Sequence, residues 1–323
     1  MPRAFDYGYA AAGMLRIIGR SAGGGCAASD LHRRKSSEIM EFRQRSVQCA
    51  GPSGLHRMSY TEWGDPRNTR VLLCVHALTR NGRDFDFLAR ALSSHYRVVC
   101  PDIAGRGVSE RLKDPAGYVI PTYVADIVTL IARLDVETVD WVGVSMGGLI
   151  GIALASMDGS PVRRLVLSDV GPEITPESIA RIASYVGTDP RWPSFAEAEA
   201  YIRAVSAPFG ELDDAIWHHL TEHSIVQDAD GTWRFRYDPR VAEPFKASFT
   251  GEPIDLWPFY ERVRCPTLAV RGAESDLLTR ATWEQMGCRG PRAKLAEIPH
   301  VGHAPLFLVD DQIAVARDFL LAP

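Results

Sequence analysis

The octet Trp141-Val142-Gly143-Val144-Ser145-Met146-Gly147-Gly148 leaves the backbone few options. Val139 to Val142 is an apolar run of the kind that makes a buried strand, and from Gly148 onward the pattern is that of an apolar helix. The chain must therefore turn from one to the other in the few residues around Ser145. A turn that tight holds Ser145 at a strained backbone position, and glycine at 143 and 147 leaves room that a Cβ at either would fill. A Gly-x-Ser-x-Gly elbow of this kind lifts the serine Oγ above the sheet edge. It also directs the Met146 N–H, at a helix N-terminus, toward the place where an oxyanion can form. Ser145 is the candidate nucleophile.

The bounds on everything else are loose. A chain of 323 residues with 46% hydrophobic content can bury one large core, or a core with an accessory subdomain. Its net charge of −4, with no basic stripe, argues against a nucleic-acid partner. Six cysteines are scattered without metal-ligand spacing, and Cys74 and Cys100 fall in or beside strand-like runs, which suits reduced thiols in a cytoplasmic protein.

The first 49 residues are a different material. They carry Arg33-Arg34-Lys35, a Gly23-Gly24-Gly25 run and no sustained period, so residues 1–49 are expected to be a disordered or loosely attached extension. The apolar patch Tyr9 to Ile18 is broken by Arg16 and too short to span a membrane, so no membrane partner is expected. Neither a signal peptide nor a transit peptide fits this segment well, and Met40 is a candidate start of translation.

Beyond it, strand and helix alternate. Strand-like runs stand at His56–Trp63, Arg70–His76, Tyr96–Cys100, Arg164–Ser168, Thr267–Arg271 and Lys294–Ile298, with helical stripes at Asp84–Leu92 and Ile120–Val136. This order predicts an α/β fold with a doubly wound, mostly parallel sheet, whose ligands sit at the carboxyl ends of the strands. The rhythm breaks after the sixth strand. Three helix-like stretches (Pro176–Val186, Phe195–Val205 and Leu212–Ser224) and tryptophans at 192, 217, 233 and 257 fill a long insertion. It reads as a helical cap over residues 172–258, inserted into a core of residues 50–171 and 259–323.

A serine hydroxyl needs a base, and the base needs a carboxylate to hold its tautomer. His303, in Val301-Gly302-His303-Ala304-Pro305 after the last strand, is preferred over His300, which adjoins the strand end. Asp276, past a glycine turn after the penultimate strand, is the preferred acid, with Glu274 and Asp169 as rivals. Ser145, Asp276 and His303 follow the chain order Ser…Asp…His.

These motifs together resemble an α/β-hydrolase with a helical cap, within the esterase-like serine hydrolases, from about His56 to the C-terminus. Two further segments carry the resemblance. Asp102-Ile103-Ala104-Gly105-Arg106-Gly107-Val108-Ser109 is similar to the family's Asp-x-x-Gly-x-Gly-x-Ser loop, and His76-Ala77-Leu78 is similar to its His-Gly-x oxyanion loop, with alanine in place of glycine. The resemblance implies oxyanion donors at the backbone N–H groups of Leu78 and Met146 and a bracing role for His76. No cofactor is expected, and no metal, since His218, His219 and His223 lack the His-Glu-x-x-His arrangement. It implies hydrolysis of a small-molecule carboxylic ester through an acyl-enzyme. Apolar esters and hydroxyalkanoate oligomers both fit; carbon–carbon bond hydrolases, thioesterases, amidases, perhydrolases and a non-catalytic binding protein stay open. Arg80, directly after the oxyanion loop, is a candidate to bind a substrate carboxylate. His219 and His223, four apart, read as a solvated helix face.

Overall fold

In the computed structural model, residues 42–247 and 250–323 are described. Eight strands form one sheet: β1 (Arg43–Gly51), β2 (Gly54–Trp63), β3 (Val71–Val75), β4 (Arg97–Pro101), β5 (Val139–Val144), β6 (Val162–Ser168), β11 (Thr267–Gly272) and β12 (Lys294–Ile298). Their spatial order is β1-β2-β4-β3-β5-β6-β11-β12. The β1–β2 hairpin and the β2–β4 pair are antiparallel, and every other neighbouring pair is parallel. The expected extension therefore ends too late: Arg43–Gly51 is an edge strand paired with β2 through its whole length. The rest of that expectation lies outside the described residues.

The near-continuous apolar runs are explained by burial on both faces of the sheet. In β3, Val71, Leu73 and Val75 face one core with Trp141, α2 (Ile120–Leu134) and α3 (Met146–Ala155). Leu72 and Cys74, one residue out of phase, face the opposite core with α1 (Asp86–Leu92) and α10 (Asp310–Leu320). Strand order reverses around β3, and the crevice where ligands of such sheets bind opens at the carboxyl ends of β3 and β5.

Between β6 and β11 the chain leaves the sheet. Its two ends are tied together by a short antiparallel pair, β7 (Glu173–Ile174) with β10 (Ile254–Asp255), so the excursion departs and returns at one place. It contains α4 (Pro176–Tyr185), α5 (Phe195–Val205), α6 (Asp214–Ser224), the hairpin of β8 (Ile225–Gln227) with β9 (Trp233–Phe235), and α7 (Ala242–Ala247). Its first three helices start where the sequence supplies an N-cap: Thr175 accepts from the Ser178 N–H, Ser194 from Glu197 and Asp213 from Ile216. Ser194 and Glu197 also meet through their side chains at 3.1 Å, the capping-box spacing. The short α8 (Trp257–Tyr260) leads back to β11, and α9 (Arg280–Met286) joins β11 to β12.

Candidate active site

Ser145 sits between β5 and α3 with φ 49° and ψ −114°, a conformation side chains other than glycine rarely adopt. Its neighbours make that turn feasible. A Cβ on Gly143 would stand 2.4 Å from the Gly147 carbonyl group, and one on Gly147 would stand 1.9 Å from the Val75 carbonyl oxygen. The result presents Ser145 Oγ to His303, whose Nε2 lies 3.1 Å away. The other ring nitrogen, Nδ1, is 2.7 Å from Oδ2 of Asp169.

Asp169, not Asp276, is the carboxylate at His303. It follows β6 directly and is fully buried. Two further hydrogen bonds hold it: Oδ1 accepts the Gly272 N–H at 3.0 Å and Oδ2 accepts the Ser275 hydroxyl at 2.6 Å. Asp276 points the other way. Its side chain is 55% exposed and pairs with Arg181. Glu274 and His300 are exposed as well. The chain order does not separate the two aspartates, since Ser145, Asp169 and His303 follow it equally. What separates them is side-chain direction: β6 lies beside β11 in parallel register, and of the two loops that follow, the first turns Asp169 to His303 and the second turns Asp276 to Arg181.

Leu78 and Met146 both line the cavity beside Ser145. Two buried groups hold them. His76 bonds the Ala77 carbonyl through Nδ1 at 2.7 Å and accepts the Ile103 N–H at Nε2 at 3.0 Å. Burial holds its pKa down to about 3, so the ring is neutral and acts as a brace. Arg106 is fully buried; it donates to the carbonyls of Leu78 and Ala104 and to the Tyr123 hydroxyl, and rests against Met146 Sδ at 3.7 Å. Sequence reasoning had no signal for it, because it occupies a variable position of its loop motif. Asp102 closes the loop: Oδ1 accepts the Gly82 N–H and Oδ2 the Val108 N–H, while burial pushes its carboxyl up to about 6. A Cβ on Gly107 would overlap that carboxylate at 2.2 Å.

A profile of the family described as alpha/beta hydrolase fold matches residues 70–308. The chain belongs to the α/β-hydrolase fold family. Over 281 residues, this hydrolase is 53% identical to the 3-hydroxybutyrate-oligomer hydrolase of Cupriavidus necator, a match covering 84% of this chain and 96% of that one. It is 28% identical over 237 residues to the 2-(acetamidomethylene)succinate hydrolase of Mesorhizobium japonicum, across 72% of this chain and 81% of the other. A crystal structure of an α/β hydrolase from Novosphingobium aromaticivorans superposes with a TM-score of 0.78 at 33% identity, covering 87% of this chain and 99% of that one.

Above the hydrolase's serine lies a cavity of about 1160 Å³ with predominantly apolar walls, bounded by the strand-end loops below and by the inserted helices above. Six of the ten large apolar side chains that stay exposed among the described residues line it: Val119, Met157, Tyr185, Tyr201, Val205 and Phe259. Arg80 lines it too, but its charge is taken. Its Nε and Nη2 bond both oxygens of Asp84, at 2.8 and 2.6 Å, and its Nη1 bonds Ser224 Oγ of α6 at 2.9 Å. His219 and His223 are not on a solvated face: they pack edge to face at 4.5 Å, and His219 packs on Phe87 of α1. Among the described residues no helix is long and apolar enough to cross a membrane.

Proposed function

We propose that this protein hydrolyses the ester bonds of 3-hydroxybutyrate oligomers through an acyl-enzyme on Ser145. The observation that carries the reading is the hydrogen-bonded chain from Ser145 through His303 to Asp169, opening into an apolar cavity. The 53% identity to an enzyme named for that substrate supports the choice of ester.

In this reading His303 Nε2 takes the Ser145 proton as Oγ attacks the ester carbonyl. Asp169, held by Gly272 and Ser275, keeps the imidazole in the tautomer that can accept it and stabilises the imidazolium. The N–H groups of Leu78 and Met146 receive the oxyanion, worth about 3 kcal/mol per donor in comparable sites. Collapse expels the alcohol half, a hydroxy acid, with its oxygen protonated by His303. Water, deprotonated by the same nitrogen, then releases the acyl half.

Residues 172–258 serve as the cap in this reading. Their helices and aromatic side chains form the upper wall, and they shield the reacting carbonyl from bulk water. The five cysteines among the described residues are all free thiols, Cys288 exposed, which supports placement in a reducing compartment such as the cytoplasm.

The test is release of 3-hydroxybutyrate from its trimer, with labelling of Ser145 by a fluorophosphonate. Ser145→Ala is expected to abolish both while leaving the fold intact, since it removes one oxygen and disturbs no packing. Wild-type turnover in Ser145→Ala would end the reading.

A further inference from the structure

Three arginines line the cavity: Arg80, Arg181 and Arg262. They differ in how much of their charge remains to be met. Arg80 is fully engaged with Asp84 and Ser224. Arg262 is 53% exposed and stands 3.7 Å from the fully exposed Asp158, so water already solvates it and a further carboxylate would gain little there. Arg181, on α4, is in an intermediate state. Asp276 Oδ2 lies 2.6 Å from its Nε, the Tyr185 hydroxyl is a further partner, and Nε and Nη2 are shut off from water, which leaves Nη1 as the open nitrogen. Part of the cost of desolvating this guanidinium has thus been met by the fold, and Nη1 still has a hydrogen bond to make.

We infer that Arg181 is a carboxylate subsite of the cavity, and that it binds the free acid end of a hydroxy-acid oligomer. The inference rests on the function proposed above. A linear oligomer of 3-hydroxybutyrate has one negative charge, on the terminal unit whose hydroxyl is esterified. That unit is in the leaving half when a chain is cut. Arg181 therefore marks the alcohol side of the scissile bond. Two contacts hold this arginine against the loop after β11: Ser178 Oγ of α4 donates to the Asp276 carbonyl at 2.8 Å, and Asp276 Oδ2 meets Arg181 Nε. Nη1, the nitrogen of this guanidinium that is not shut off, is left to donate to the carboxylate in a charge-assisted hydrogen bond, with Asp276 kept on Nε.

Because the charged half departs on acylation, its recognition raises the rate of acylation and leaves deacylation untouched. The experiment compares the free-acid trimer with the same trimer capped as its neutral N-methylamide. Wild type is expected to prefer the free acid in kcat/KM by about tenfold or more. Arg181→Ala loses that preference, its rate falling more on the free acid than on the capped trimer, Arg181→Lys restores it in part, and Arg262→Ala retains it. Equal loss on both substrates, an unchanged preference in Arg181→Ala, or no preference in wild type overturns the subsite. Calorimetry on the Ser145→Ala background reads the same preference as binding, without turnover. If that binding depends on Arg181 while wild type cleaves neither trimer, the proposed reaction fails and the carboxylate subsite stands.

Discussion

Ser275 donates its hydroxyl to Asp169 Oδ2 at 2.6 Å, from the residue immediately before Asp276. The loop after β11 thus contributes a hydrogen bond to the carboxylate that faces His303, and turns its own carboxylate outward toward Arg181. Asp169→Asn is expected to lower kcat on a neutral ester by about 10⁴, because an amide favours the wrong imidazole tautomer. Asp276→Asn is expected to stay within about fivefold of wild type, the scale of an exposed ion pair. Steady-state kinetics of the two variants decides; the larger loss at Asp276 would return the acid to the β11 loop.

Arg106 offers a second test. Its guanidinium fixes the Leu78 carbonyl and packs on the Met146 sulfur, so it sets the positions of both proposed oxyanion donors. Lysine keeps the charge but not the fork. Arg106→Lys is expected to lower kcat about tenfold or more with KM little changed, since the oxyanion contact exists only in the transition state. A rise in KM at constant kcat would make Arg106 a substrate-binding group instead.

Gly147→Ala probes the elbow itself. The new Cβ would stand 1.9 Å from the Val75 carbonyl oxygen, a backbone atom of a central strand that cannot step aside. The variant is expected to lose more than about 3 kcal/mol, visible as a lowered urea midpoint. Near-native stability would mean that β3 and α3 are not packed as described.

The pH dependence of stability follows from His76 and Asp102. Burial holds His76 at about 3 against an ordinary 6.5, so below pH 6.5 only the unfolded chain takes up this proton. The stabilising contribution is full above 6.5 and is lost toward pH 3 at about 1.4 kcal/mol per pH unit. Asp102, pushed up to about 6 from 3.8, has the opposite sign: the folded chain takes its proton first, and stability is regained as the pH falls from 6 toward 4. His223, lowered by burial to about 3, adds to the His76 loss. Replacing His76 by glutamine removes one falling contribution. Relative to wild type, the unfolding free energy of His76→Gln between pH 6 and 4 should tilt upward by about 1.4 kcal/mol per unit of acidification. Parallel curves from urea titrations across that range would refute the assignment.

The amino-acid order by itself determined the architecture and half of the site. Apolar runs such as Val71–Val75 can be buried on both faces only in a sheet covered by helices on each side. Gly143, Ser145 and Gly147 admit one kind of turn, because the room a Cβ would need is already filled by backbone. Those are local constraints, written in residues close together in the chain. The tertiary structure decided what depends on neighbours distant in sequence. Whether Asp169 or Asp276 meets His303 turns on β6 and β11 being adjacent strands, which places both loops within reach and leaves the choice to the direction of each side chain. Arg43–Gly51 has the composition of a polar extension, and it is a strand because β2 offers an edge to pair with. Arg80 and Arg181 differ for the same reason. Asp84, one helical turn from Arg80, neutralises it, whereas Arg181 meets its carboxylate, Asp276, across space from the loop after β11 and keeps Nη1 open at the cavity wall. Spacing along a chain reports which groups share a strand or a turn; charge compensation is set by which groups the fold brings together through space.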